Sequence, residues 1–407
     1  MKEIKTCEVC DNNELKEVID LGLHPMCDDL KKIPSDEICK NYPIKILFCS
    51  KCLTAHQQYQ VPQLKLFPST YHYRAKFTSD VLKGMKDLVE DILILKPNLK
   101  RDYALDIGCN DGSLLNFFYE KGFSTVGVEP TNAAIDAVKN KHRVYKEYFS
   151  NNIARQIRSE IGSPSIITFT NVFAHIENLK EVVTALNTLM GDDTELIIEN
   201  HYLGSIIDYK QFDTFYHEHP RTYSATSFSY IAKNLNCYIK KIDFPSRYGG
   251  NIRVFLSKIR ENQSFNNQSL KKLFSKEKRF SNEIVLLKKQ MEQWIKSKKS
   301  YINMLYNKHG PLHAKAFPGR AAILIKLLEI DNNIFTAVYE KPGSFKIDHY
   351  IPGTKIPIKS DHELRLINKD VPIINLAWHI PKEIRDYLAK LNVTNPIIDI
   401  ISKNDFN

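Results

Sequence analysis

No apolar run in this sequence approaches the ~20 residues that a membrane-spanning helix requires, which argues against a transmembrane segment. The opening residues, Met1-Lys-Glu-Ile-Lys-Thr-Cys7, contain no apolar stretch of the kind that directs export, and a cytoplasmic protein is expected. Internal repeats and low-complexity tracts are absent. The net charge of +10 favours an anionic partner. No basic stripe interleaved with aromatics accompanies it, so nucleic acid is not the partner expected. Eight cysteines are present. In a chain that is not exported they argue for metal ligation or burial and against a disulfide framework.

What is present fits a folded protein of several domains. With 407 residues, 43% hydrophobic and 26% charged, the chain exceeds one ordinary core, and two or three domains are expected. Cys7-Glu-Val-Cys10 and Cys49-Ser-Lys-Cys52 form paired C-x2-C knuckles. Each knuckle presents two thiolates, and two knuckles complete a tetrahedral, structural zinc site with no open position for catalysis. Cys27 and Cys39 are read as bystanders, and His24 and His56 as solvated.

The most informative stretch is Ala104-Leu-Asp-Ile-Gly-Cys-Asn-Asp-Gly112 followed by Val126-Gly-Val-Glu-Pro130. An apolar strand enters a glycine-bearing turn and a helix, and a second strand ends at Glu129, 23 residues after Asp106. Gly108 and Gly112 allow a sharp turn and close approach of a ligand. A carboxylate at Glu129 can accept hydrogen bonds from a ribose diol. The D-x-G-x-x-x-G spacing departs from the G-x-G-x-x-G of dinucleotide enzymes. It fits the S-adenosylmethionine turn of class I methyltransferases, where no pyrophosphate is cradled. Asp106, Gly108, Asn110, Asp111, Gly112 and Glu129 are therefore the expected cofactor-binding residues, with Asn171 added because it ends a strand at the ligand edge of such a sheet.

The organisation expected is a zinc-binding domain over 1–70, a methyltransferase domain over 71–262, one connecting helix over 263–308 and a C-terminal α/β domain over 309–407. The fold class is α/β: a doubly wound, Rossmann-like sheet flanked by the two smaller units. Strands are read at Tyr103–Ile107, Ser124–Val128, Ser165–Thr170 and Glu195–Glu199, then an antiparallel pair, Tyr238–Asp243 and Asn251–Ser257. Lysine, glutamate and leucine at helical spacing, with no proline or glycine, give the long helix between 263 and 305.

In this order the motifs resemble the sugar C-methyltransferase family, which methylates a carbon of nucleotide-linked 4-keto-6-deoxy sugars. The likeness covers nearly the whole chain: the cysteine pairs around LGLHP and YPIKILFCSKC, LDIGCNDG with VGVEP, TNVFAHI, Tyr216-His-Glu-His219, RYGGNIRVF, YIPGTKIPI and NLAWHI. It implies S-adenosylmethionine and structural zinc as cofactors, with Cys7, Cys10, Cys49 and Cys52 as ligands. His219 would be the base that removes the proton beside the ketone. Tyr216 would be a donor to the enolate oxygen, and Glu218 would hold the sugar or orient the base. Asn171 would face both cofactor and sugar, with Tyr71, Tyr73 and Arg247 completing the substrate contacts. The partner implied is a nucleotide-diphosphate sugar, methylated at C-3, with C-5 or an O/N-methyl transfer as alternatives; the chain is expected to be a monomer. An RNA or protein methyltransferase whose zinc unit grips its target is the rival from another class.

Two features stand apart from that family: Pro25-Met-Cys-Asp28, where a small or amide residue usually follows the proline, and the opening of the C-terminal unit. The C-terminal unit opens with His313-Ala-Lys-Ala-Phe-Pro-Gly-Arg320 where a glycine-rich loop is usual, leaving Lys315 and Arg320 as the charges for a diphosphate. If HEH lay on a strand, His217 and His219 would share a face and invite a metal, but no third ligand follows at a recognisable spacing. His175 and the histidines at 313, 349, 362 and 379 are read as structural.

Overall fold

Between 103 and 257 the chain lays down its largest sheet, and its short central strands are buried along nearly their whole length, as in a sheet covered on both faces. The structure, a computed structural model, is described for residues 1–260 and 267–406. The strands are β2 (Tyr103–Ile107), β3 (Ser124–Val128), β4 (Arg143–Tyr145), β5 (Ile166–Thr170), β6 (Glu195–His201), β8 (Tyr238–Asp243) and β9 (Asn251–Ser257); β1 (Thr54–Gln57) and β7 (Arg221–Thr222) belong elsewhere. Their order across the sheet is β8-β9-β6-β5-β2-β3-β4. Five strands from β6 to β4 run parallel, and β9 inserts antiparallel to both β6 and β8. Strand order reverses between β2 and β5, so the carboxyl ends of these two strands flank the crevice where such sheets bind ligands. β4 escapes a sequence reading because three residues carry no usable alternation.

Helices cover the sheet through stripes set by sequence. In α1 (Ser79–Leu95), Val81, Met85, Leu88, Val89 and Ile92 recur at helical spacing and are buried. They join Ala104, Leu114, Phe118, Ile166 and Phe255 in one core. Gly112 stands before α2 (Ser113–Glu120) at φ 80, a left-handed conformation that glycine adopts without penalty. Ser150 and Asn178 cap α3 (Asn151–Ile161) and α4 (Leu179–Leu189) through their side chains. Ser224 and Ser227 form a reciprocal capping box at α5 (Ala225–Asn234).

The single helix expected over 263–305 is two helices, α6 (Asn267–Glu277) and α7 (Phe280–His309); residues 263–266 lie outside the described residues. Glu277 is fully buried and accepts the amides of Ala225 and Thr226 at 2.7 Å each, neutralising the start of α5. This long-range contact outweighs local helix propensity, and the chain breaks at Lys278-Arg279. No helix among the described residues is long and apolar enough to cross a membrane.

The chain forms two compact units: residues 1–16, 47–205 and 218–281 in the first, and 17–46, 206–217 and 282–407 in the second. The second unit has its own five-stranded parallel sheet. Its strands are β10 (Leu312–Lys315), β11 (Phe335–Glu340), β12 (Ile358–Ser360), β13 (Ile373–Asn375) and β14 (Ile397–Asp399), in the order β12-β11-β10-β13-β14. One face packs Ala337, Tyr339, Leu364, Ile373, Ile384 and Leu388 into a separate core.

Candidate active site

Turn geometry at the end of β2 follows from its glycines. Gly108 has φ 71, and a Cβ there would lie 2.5 Å from Val172 Cγ2, so the crossing of this turn with the β5 end admits only glycine. Glu129, just past β3, is buried and accepts the amides of Asn110 at 3.0 Å and Thr131 at 2.9 Å. Each carboxylate oxygen keeps a lone pair for a further donor such as a ribose hydroxyl. Asp106 lies inside the sheet, where its carboxylate accepts Thr168 Oγ1–H at 2.7 Å. Burial pushes its pKa up to about 7 against that hydrogen bond.

Asn110 and Asp111 hold protein in place. Asn110 accepts the amide of Ala75 and donates to Tyr73 O, both at 3.0 Å, while Asp111 accepts the amide of Lys76 at 2.9 Å. The two residues staple segment 73–76 across the glycine turn. Residues expected at substrate (Tyr71, Tyr73) and at cofactor (Asn110, Asp111) are thereby brought together.

At the carboxyl ends of β5 and β6 the structure assembles three imidazoles. The ring of His219 stacks on His175 with centroids 5.0 Å apart at 27°, and lies 4.9 Å from His201. His175 Nδ1 donates to the carbonyl of Glu218 at 2.6 Å, which places a proton on that nitrogen. Two aromatic arms lead back to the stapled segment. Tyr71 contacts Phe67 at 5.3 Å and Phe67 contacts His175 at 5.0 Å. Tyr73 and Tyr248 hydroxyls lie 3.4 Å apart, and Tyr248 packs on His201 at 5.8 Å. Tyr248 holds φ 54, a strained conformation for a bulky residue.

His175, His201 and Tyr248 were missed as site residues. His201 terminates a strand at the sheet's ligand edge, a signal available from sequence. His175 lies in TNVFAHI and Tyr248 in RYGGNIRVF, motifs that carried the resemblance without giving either residue a role in the site. The segment 216–219 is a turn and no strand. His217 belongs to the second unit, where Nε2 donates to Tyr42 O at 3.2 Å. Tyr216 also falls in the second unit, half-buried, with its amide on Thr214 O at 3.0 Å. Glu218 and His219 begin the next stretch of the first unit.

Arg247 is committed to a buried ionic network. It donates to Glu199 Oε1 from Nε and Nη2 at 3.1 and 2.5 Å, and to Val81 O at 3.0 Å. Arg253 binds the other oxygen of Glu199 at 2.8 Å. Asn251 bridges Glu199 at 2.9 Å to Asn171 at 3.1 Å. Asn171, in a left-handed conformation at φ 55, is thus pinned at the β5 end beside the crevice. Arg247 supports that edge from within.

None of the eight cysteines, all among the described residues, forms a disulfide. The Sγ atoms of Cys7, Cys10, Cys49 and Cys52 lie within 4.8 Å of one another, with Cys7–Cys52 at 3.4 Å and Cys10–Cys49 at 3.6 Å. A zinc ion at about 2.3 Å from four sulfurs requires sulfurs about 3.8 Å apart, and the donor set fits. Among the described residues this is the one group with metal-binding geometry. His56, expected in solvent, is fully buried with Nε2 3.3 Å from Cys7 Sγ, and His24 is also buried. Burial depends on the partners the fold brings, which their sequence positions do not reveal.

Within the second unit, the charges expected to face a diphosphate are already neutralised. Lys315 is buried with Nζ 2.8 Å from Asp361, and Arg320 is buried against both oxygens of Asp213, which also accepts Trp378 Nε1–H at 2.9 Å. Buried cations require such partners, so neither is left over for a phosphate.

Known proteins share these features. Three family models match in succession: a zinc binding domain over 7–67, a methyltransferase domain over 77–242 and a C-methyltransferase C-terminal domain over 246–395. The C-methyltransferase NovU of Streptomyces niveus is 25% identical over 258 residues, 63% of this chain and 61% of that protein. The chain thus matches 61% of the length of this curated relative. Magnesium protoporphyrin IX methyltransferase from Synechocystis PCC 6803 with bound SAH is 13% identical, with a TM-score of 0.35 over 44% of this chain and 84% of that one. A S-adenosylmethionine-dependent methyltransferase from Clostridium acetobutylicum ATCC 824 is 14% identical, with a TM-score of 0.35 over 43% and 91%. The zinc-binding match and the four-cysteine cluster together support a structural zinc ion. The chain thus carries a zinc-binding domain, a methyltransferase domain and a C-methyltransferase C-terminal domain, in this order.

Proposed function

We propose that this protein methylates C-3 of a nucleotide-linked 4-keto-6-deoxy sugar. The observation that supports the reading most is the buried imidazole of His219 at the ligand edge of the sheet that carries the glycine turn. Bond formation at a saturated carbon requires a carbanion equivalent, and a neighbouring ketone provides one as an enolate. His219 accepts the proton from that carbon, since an imidazole titrates in the range a general base requires. His175, with its Nδ1 proton held by the carbonyl of Glu218, stacks on the base and holds its plane. Tyr71 and Tyr73 bound the sugar from the stapled segment, and Asn171 separates cofactor from sugar. Tyr216 donates to the enolate oxygen and Glu218 orients the sugar or the base. The glycine turn at Gly108 and Gly112 and the carboxylate of Glu129 would hold S-adenosylmethionine, which would supply an electrophilic methyl group.

The test is incubation with a panel of 4-keto-6-deoxy sugar nucleotides in D2O without S-adenosylmethionine. Deuterium at C-3, followed by a quaternary methyl singlet once the cofactor is added, is the expected result. Deuterium at C-5 moves the reaction to that carbon. No exchange with any member of the panel, in a protein that binds S-adenosylmethionine, removes the sugar reading.

A further inference from the structure

The strand β7 begins two residues after His219, and it pairs with the zinc-binding segment. Arg221 stands opposite His56 and Thr222 opposite Ala55 in an antiparallel register with β1, and the amide of Gln57 donates to Pro220 O at 2.8 Å. β1 itself starts two residues after Cys52, whose Sγ lies 3.0 Å from Thr54 Oγ1. Side chains repeat the link. Arg221 is wholly buried, donates from Nε to Tyr223 Oη at 3.1 Å and pairs through Nη1 with Glu8 Oε2. Glu8 lies inside the first knuckle, between Cys7 and Cys10, and also accepts Gln60 Nε2–H at 2.9 Å. A buried arginine paired with a carboxylate in a metal knuckle ties the position of one to the integrity of the other.

We infer that the zinc knuckle positions the catalytic base: Arg221, held by Glu8, is a positioning residue that fixes the His219 turn against β1. The zinc ion then serves the methyl transfer through the geometry of residues 218–222 and makes no contact with the reacting atoms. The base assignment of the preceding section underlies this inference. Its first test does not depend on the substrate, so the two fail separately.

Hydrogen exchange on the full chain, before and after zinc is withdrawn by a chelator, reads the link directly. Amides in 218–224 and 53–57 should exchange at least about tenfold faster without zinc, while those in 103–113 keep their protection. Unchanged protection of 218–224 in zinc-free protein overturns the inference. The second test replaces both partners, Glu8→Leu with Arg221→Met, so that no buried charge is stranded and folding is preserved. Neither residue ligates zinc, so the double variant should retain one zinc and bind S-adenosylmethionine with full stoichiometry. Its kcat and its deuterium exchange should fall by about 10²-fold, the effect of a misplaced group. Wild-type turnover in the double variant overturns the role of Arg221. So does a loss of cofactor stoichiometry in parallel with turnover, which marks a merely structural pair.

Discussion

His219 and His175 meet face to face, centroids 5.0 Å apart and planes inclined by 27°, although 43 residues separate Glu218 from the ring that binds its carbonyl. The base is therefore held twice, by stacking and by a hydrogen bond to the backbone just before it. His219→Asn should lower kcat by about 10²–10⁴-fold, the usual worth of general base catalysis. His175→Ala removes one hydrogen bond worth about 1 kcal/mol and should cost roughly fivefold to tenfold. Both variants should bind S-adenosylmethionine normally by calorimetry. Near-normal turnover of His219→Asn would take the base role from it.

Gly108→Ala should damage the cofactor site beyond simple backbone strain. The new methyl would lie 2.5 Å from Val172 Cγ2, on a backbone at φ 71. Gly310, at φ 75 and with nothing within 4 Å of its would-be Cβ, is the control. Both substitutions carry a left-handed penalty of about 1–2 kcal/mol. Only the one at Gly108 should weaken S-adenosylmethionine binding, by about tenfold or more, as the turn is displaced. Equal cofactor affinity in the two variants would contradict the role given to the turn.

Glu199 is fully buried, and Arg247, Arg253 and Asn251 all converge on it. Burial alone would raise its pKa, but the two guanidiniums outweigh that and hold the carboxyl below its usual range. Glu199→Gln strands the buried cation of Arg247, while Arg253 keeps Asp91 at 2.7 Å, and should cost about 3–5 kcal/mol of stability in urea titrations. A loss under about 1 kcal/mol would mean the network is solvated in solution.

Acid should loosen the second unit. His24 and His217 both belong to it, and burial lowers the pKa of each from 6.5 to about 4, against hydrogen bonds to Leu21 O and Tyr42 O. Unfolded, these rings take up protons that the folded rings refuse. Stability is therefore complete above pH 6.5 and falls as the pH drops toward about 4. The slope is roughly 1.4 kcal/mol per pH unit for each ring. Both tryptophans, Trp294 and Trp378, lie in the second unit, so their fluorescence reports it selectively. A denaturation midpoint that does not move between pH 7 and pH 4.5 would refute the assignment of neutral, buried rings.

The amino-acid sequence by itself determined every feature encoded over a few adjacent residues. The two C-x2-C knuckles, the β2–turn–α2 unit with its glycines, the carboxylate past β3 and the antiparallel strands β8 and β9 all follow from spacing, chirality and periodicity. Only the tertiary structure decided which distant groups meet. His175, His201 and His219 come from three separate segments, and their contact depends on strand order, which no local pattern encodes. The same holds for Glu277 reaching the start of α5 and breaking a helix that its own residues would continue. Lys315 and Arg320 look like free charges along the chain, yet each is neutralised by a carboxylate that folding delivers, because a buried cation is stable only beside a partner.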